Sequence, residues 1–254
     1  MKLAKTLSLV AVLAMAMAIA IPVHAFTIEE EHVPNGNTQL NWLTGFNTNR
    51  MLIGSTLLPA DPAYANPSGD HTIGLLVSAT TDSGGIALSC VDPLGQSDYT
   101  WEGWFFTGDG SSRRGLVLRA DPTINFQSCY QFVLYAGMGQ LVFRRLVGQT
   151  PTALASWIGP NIPGGVPLVN TWHHLKVNAV ANQFRLWFDD TELTAGSGPI
   201  VDNVAPILTG FVGVYNFRFD IGNIPVYFDD LVLSSEAPVP ARSTTWGGLK
   251  ALYR

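Results

Sequence analysis

Thr171-Trp172-His173-His174-Leu175-Lys176-Val177-Asn178-Ala179-Val180-Ala181-Asn182-Gln183-Phe184-Arg185-Leu186-Trp187-Phe188-Asp189-Asp190 reads as two antiparallel strands around a short turn. Successive side chains of a strand point to opposite faces. Leu175 and Val177 therefore share one face of the first strand, and Phe184, Leu186 and Phe188 share one face of the second. The other face is mixed: Trp172, His174, Lys176, Arg185 and Trp187. The apolar face suits the inside of a sandwich, and the mixed face is the place for a ligand to sit.

The same alternation recurs along the chain. Strands are expected at 51–58, 72–78, 99–106, 116–119, 129–135, 141–147, 153–158, 172–177, 184–188, 210–217 and 226–233. Turn clusters separate most of them: Asp61-Pro62, Ser83-Gly84-Gly85, Thr107-Gly108-Asp109-Gly110, Gly137-Met138-Gly139 and Pro163-Gly164-Gly165. The 254 residues contain 25 Gly and 16 Pro with 47% hydrophobic content, a composition that opposes long helices and fits many turns. The expected class is all-β, a two-sheet antiparallel sandwich or jelly roll.

The two ends differ from the middle. Lys2 and Lys5, the apolar run Leu7–Ile21 and the small residues around Val23-His24-Ala25 make residues 1–25 a secretory signal peptide by pattern. Its removal takes away two lysines and no acid, leaving 12 basic against 19 acidic residues. That balance excludes nucleic acid as a partner, and no long apolar segment follows to span a membrane. The expected organisation is 1–25 signal peptide, 26–235 sandwich and 236–254 linker and tail, with the protein secreted or held at the cell surface. In the tail, Glu236-Ala237-Pro238-Val239-Pro240 is a stiff linker, and residues 243–254 place Trp246, Leu249 and Tyr253 on one face of a short helix that could dock on a partner.

Export also makes a disulfide between the only two cysteines, Cys90 and Cys129, the favoured pairing. It would contribute about 2–4 kcal/mol. The alternative is two unlinked thiols, each filling a small apolar hole.

Three stretches together resemble the laminin-G-like, concanavalin A-like lectin/glucanase superfamily. They are Tyr99-Thr100-Trp101-Glu102-Gly103-Trp104-Phe105, the Trp172-His173-His174-Leu175 hairpin ending in Phe188-Asp189, and Val226-Tyr227-Phe228-Asp229-Asp230-Leu231-Val232-Leu233. They occur in family order across roughly residues 75–235. The resemblance implies a jelly roll with one concave sheet face. It also implies a calcium site in which Asp229 joins backbone carbonyls and an N-terminal carboxylate, with Glu29, Glu30 and Glu31 as candidates for the latter. Where that family has an Asp-Gly turn this chain has Asp189-Asp190, so a different turn geometry is expected.

Superfamily members that cleave glycans carry a Glu-x-Asp-x-x-Glu strand, which places acid and nucleophile on one face; that spacing is absent. No Gly-x-Ser-x-Gly elbow is present, and adjacent His173 and His174 point to opposite faces, a poor start for a metal site. No motif calls for a cofactor. The outward aromatics favour binding instead: flat rings stack on sugars while Arg, His and Glu fix hydroxyls. The expected ligand residues are Glu102, Arg119, Tyr135, Trp172, His174, Arg185 and Trp187. The expected function is a secreted, non-catalytic module that binds an extracellular glycan through the concave face. The alternatives are a structural or adhesive surface module docked by its tail to a surface protein, and a glycan hydrolase of unfamiliar type.

Overall fold

The hairpin of residues 171–190 lies within a sheet whose partners come from distant parts of the chain. The computed structural model describes residues 26–29, 42–44, 51–53, 73–75, 84–89, 98–107, 112–121, 128–148, 150–218 and 226–235. Contacts group Phe26–Ser235 into one unit. The expected signal segment, the tail, Cys90, Glu30 and Glu31 lie outside the described residues.

Two antiparallel sheets make up this unit, as the alternation predicts. The first runs β13 (Thr191–Leu193), β12 (Gln183–Phe188), β11 (His173–Val180), β6 (Tyr99–Thr107), β16 (Val226–Ser235), β4 (Ile73–Leu75), β3 (Met51–Ile53). In the same sheet β1 (Phe26–Glu29) pairs with β16, and β14 (Ile200–Val201) pairs with β12. The second runs β10 (Thr150–Ile158), β9 (Gln140–Val147), β8 (Cys129–Tyr135), β7 (Ser112–Ala120), β15 (Phe211–Arg218), β5 (Gly84–Ser89), β2 (Trp42–Thr44).

The predicted apolar faces meet between the sheets. Trp101, Phe105, Leu175, Val177, Phe184, Leu186 and Phe188 of the first sheet pack against Leu116, Leu118, Phe132, Leu134, Leu141 and Phe143 of the second, all buried. Phe184 sits 4.6 Å from the Tyr130 ring and 4.9 Å from Phe143. The Trp101 indole donates to Gly213 O at 2.9 Å across the sandwich, so its one polar group is satisfied. Filling one void from both sides removes apolar surface from water, the main favourable term of folding.

Arg119 departs from the alternation and requires a correction. Strict alternation places it opposite Leu116 and Leu118, facing a ligand. Instead β7 bulges: Val117 pairs with Gly213 but Ala120 with Phe211, leaving β7 one residue long. Arg119 takes φ 51° there, and its side chain turns into the core at 0% exposure. The guanidinium lies over Phe184 at 5.0 Å and donates to Ala181 O and, at 2.8 Å, to Ile207 O. Gly210 makes the bulge possible, because a Cβ there would stand 2.4 Å from the Arg119 carbonyl carbon. Arg119 is thus an inter-sheet latch, out of reach of any ligand.

Beside it, Asp202 is buried with a full set of donors. It receives Arg145 at 2.7 Å, the Tyr130 hydroxyl at 2.7 Å and the amide of Val204 at 3.2 Å. Burial alone would raise this carboxyl, but the hydrogen bonds from Tyr130, Arg145 and the following amides outweigh it and hold the pKa below the ordinary value. Cys129 also departs from expectation. It is a free thiol with no exposure, and Cys90, its expected partner, lies outside the described residues. Its side chain packs with Val117, Val133 and Phe211 in a second apolar cluster, so it fills a hole as a small hydrophobe does.

Candidate functional site

The expected ligand residues divide between the two sheets. Glu102, Trp172, His174, Arg185 and Trp187 belong to the outer face of the first sheet, because β6, β11 and β12 pair with His174 opposite Trp104, and Lys176 opposite both Glu102 and Trp187. His174 stacks on Trp104 with ring centroids 5.0 Å apart. Its Nδ1 lies 2.8 Å from Asp190 and its Nε2 3.5 Å from Glu102. Lys176 Nζ reaches Glu102 at 3.1 Å and lies 5.8 Å over the Trp187 ring. Arg185 pairs with Glu192 at 2.8 Å, and Trp172 rests on Phe106 at 5.4 Å. Lys176 thus has Glu102 beside it, Arg185 has Glu192, and His174 lies between Asp190 and Glu102. Ion pairs near the surface such as these contribute about 0–1 kcal/mol each.

The turn that closes β12 onto β13 also serves this face. Asp189 and Asp190 both have positive φ, 44° and 62°, as a two-residue type I′ hairpin turn requires. The backbone therefore takes the left-handed shape that suits Asp-Gly, although Asp190 carries a Cβ. Side-chain bonds hold it there: Asp189 accepts from the His174 amide at 2.8 Å and faces His173 Nδ1 at 2.8 Å, while Asp190 faces His174.

Tyr135 lies elsewhere, on the outer face of the second sheet, among residues that sequence reasoning did not single out. Register places Arg113 of β7 opposite both Tyr135 of β8 and Phe217 of β15, and Gln131 of β8 opposite Arg144 of β9. The Arg113 guanidinium lies 4.3 Å over the Tyr135 ring and 5.5 Å from Phe217. Arg144, 6% exposed, donates Nε and Nη2 to Gln131 Oε1 at 2.9 and 2.6 Å and Nη1 to the Tyr135 oxygen, and its Nη2 stands 3.5 Å from the Tyr215 oxygen. Tyr215 and Phe217 rings are stacked 6.3 Å apart. Arg113, Tyr135 and Phe217 stay partly exposed, whereas Arg144, Gln131 and Tyr215 are buried.

This second face has the opposite character to the first. All partners of Arg144 are neutral. Burial pushes the Tyr215 phenol up to about 12, against the pull of Arg144, and burial pushes the Cys129 thiol up to about 12 as well. Neither group supplies a negative charge near neutral pH. The Gln131 Nε2 is buried without a hydrogen-bond partner and has only the weakly accepting Cys129 sulfur beside it. Because Arg144 donates to the Tyr135 oxygen, that hydroxyl hydrogen is directed elsewhere.

Among the described residues no group of three His, Cys, Asp or Glu is placed to hold a metal ion. Asp229 is buried opposite Trp104 on the first sheet, beside a β16 bulge at Asp230, where φ is 48°. A cleft of about 430 Å³ between β10 and β13 contains Ser156, Trp157, Asn161 and Glu192. Its one carboxylate, Glu192, is already paired with Arg185.

No protein-family profile matches the chain, and no curated protein does. Solved structures do. The carbohydrate-binding module CBM66 from Bacillus subtilis is similar at TM-score 0.50 and 19% identity, covering 64% of this chain and 92% of its own. A protein of unknown function from Shewanella oneidensis MR-1 is similar at TM-score 0.54 and 9% identity, covering 89% and 92%. A protein of unknown function with a galectin-like fold from Bacillus subtilis is similar at TM-score 0.50 and 8% identity, covering 82% and 100%. At these identities the likeness is one of fold: the chain is a two-sheet antiparallel β-sandwich, as these structures are.

Proposed function

We propose that the protein is a non-catalytic carbohydrate-binding module, acting after export, and that its ligand lies on the outer face of β7, β8, β9 and β15. The observation that carries this reading is the interleaving there of Tyr135, Tyr215 and Phe217 with Arg113, Gln131 and Arg144. Aromatic rings cover the apolar faces of a sugar, and amide and guanidinium groups meet its hydroxyls. Its fold is the one shared with CBM66 from Bacillus subtilis, which supports the reading without fixing the ligand.

A second reading puts the glycan on the first sheet, where the partly exposed indole of Trp187 lies beside Lys176 and Glu102. One experiment separates the two. Purified protein is applied to a glycan array, and hits are titrated against Tyr135→Ala and Trp187→Ala. Loss of at least about 10-fold in affinity is expected for Tyr135→Ala, as for a stacking aromatic contributing about 1–3 kcal/mol, and little change for Trp187→Ala. The reverse pattern moves the site to the first sheet. An array without hits overturns the carbohydrate reading, and product release from a bound glycan that Glu102→Gln abolishes would establish a hydrolase in its place.

A further inference from the structure

We propose that His173 is a pH-sensitive clamp: uptake of one proton closes its ring between Asp189 and the carbonyl of Leu168, and loss of that proton releases residues 168–171. The inference is independent of the carbohydrate reading.

His173 begins β11 on the strand face that also carries the buried Leu175 and Val177. The residue is 6% exposed, and its ring stacks on Phe188 at 5.2 Å and tilts against Phe105 at 5.8 Å. Both ring nitrogens meet acceptors there: Nδ1 lies 2.8 Å from Asp189 Oδ2, and Nε2 lies 2.9 Å from Leu168 O. A neutral imidazole has a single N–H, so in either tautomer one ring lone pair would face an oxygen lone pair. The two contacts together need two hydrogens, and the second is taken up from solution. Asp189 acts as the acceptor of the pair, since its carboxylate is 42% exposed and its Oδ1 already receives the His174 amide at 2.8 Å.

The imidazolium thus joins β11, the β12–β13 turn and the segment before β11. When the proton leaves, the remaining N–H stays with the carboxylate, because a charged acceptor forms the stronger bond. Nε2 then turns its lone pair on Leu168 O, and that contact breaks. The closed form holds one proton more than the open form, so it is favoured as pH falls and lost as pH rises. Histidine ordinarily changes charge between about pH 5 and 8.

The segment is suited to release. Leu168, Val169, Asn170 and Thr171 are all exposed, Leu168 at 70%, and a stretch with few buried apolar contacts opens at low free energy. Asn170 has φ 56°, a left-handed backbone that strains a residue with a Cβ. Two other ionisable groups lie near His173. Arg114 of β7 places its guanidinium 5.9 Å from the centroid of the Phe105 ring, and His174 faces the other way, between Asp190 and Glu102.

The test is NMR of the isotope-labelled full chain across this range. At about pH 5.5 both ring nitrogens of His173 are expected to be protonated, with backbone order parameters of about 0.85 for residues 168–171. At about pH 8.5 one nitrogen is expected to be bare and the order parameters to fall below about 0.6. Asp189→Asn gives the sharper result. Its amide can take the place of Oδ2 and donate to Nδ1, so that a neutral ring keeps its N–H on Leu168 O, and the backbone at φ 44° suits Asn. The segment is then expected to stay ordered at both pH values. His174→Gln is expected to respond as the parent does. Order parameters that do not change with pH in the parent overturn the proposal, as does a bare His173 nitrogen while the segment is ordered. A parent-like response in Asp189→Asn also overturns it, and so does a response lost in His174→Gln, which would move the switch to the neighbouring ring. Should a variant fail to fold, the titration of the parent decides.

Discussion

A guanidinium withdrawn from water must find oxygen atoms, and Arg119 and Arg144 find them in different ways. Arg119 meets two backbone carbonyls, at Ala181 and Ile207. Arg119→Met strands both, and the expected cost is about 2–4 kcal/mol in urea unfolding. Arg144 instead holds neutral side chains that exist to hold it. The paired replacement Arg144→Met with Gln131→Leu removes a buried charge and its unmet amide together. It is expected to raise the urea midpoint, by about 1–3 kcal/mol of stability, while abolishing ligand binding. A gain in stability coupled to a loss of recognition marks a functional cluster; a large loss of stability would make Arg144 a second latch. The contrast was invisible in sequence. Arg144 and Arg145 are neighbours, and only the register of β9 against β8 decides that one faces outward to Gln131 and the other inward to Asp202.

Among the elements, the β12–β13 turn shows most clearly what a side chain can hold in place. Asp190 keeps a left-handed backbone that Gly would adopt without strain, and its carboxylate faces His174. Asp190→Ala keeps the strain and loses the contact, so it is expected to destabilise by about 1–2 kcal/mol. Asp190→Gly loses the contact but relieves the strain and is expected to fall within about 1 kcal/mol of the parent; thermal melts of the two variants check the difference. Period-two alternation made the long strands legible, and with them the inward faces of β6, β11 and β12. The two- to four-residue strands β1, β2, β13 and β14 are too short to carry a period, and β5 opens on Gly84-Gly85, which reads as a turn. Alternation also misplaced Arg119, since nothing in the residues of β7 announces a bulge whose cause, Gly210, lies about ninety positions away in the chain. The outer cluster of the second sheet was legible only in Tyr135, because its other members come together through register across four strands.

For the whole molecule, Asp202 ties acid stability to the Tyr130–Arg145 cluster. Its pKa in the folded protein lies below its ordinary 3.8, so its contribution is complete above that value and is lost as pH falls through the folded pKa. Unfolding free energy is therefore expected to drop below about pH 4, and Asp202→Asn to flatten that drop while lowering stability at neutral pH. Cys129 gives a second global test. Being a free, buried thiol, it is expected to leave the melting temperature unchanged on addition of dithiothreitol and to resist alkylation until the protein unfolds; a fall of several degrees would restore the link to Cys90.

The pairing of β1 with β16 places Phe26 beside Ser235, so both extremities of the sandwich are neighbours, about 5 Å apart at their Cα atoms. Such a molecule is a closed loop lacking one short bridge. A few glycines and serines joining Ser235 to Phe26, with new termini cut at the exposed Gly164, should yield a circular permutant with the same two outer surfaces. In that permutant both surfaces stay intact while the ends emerge from a different corner, which allows either surface to be presented outward when the protein is immobilised.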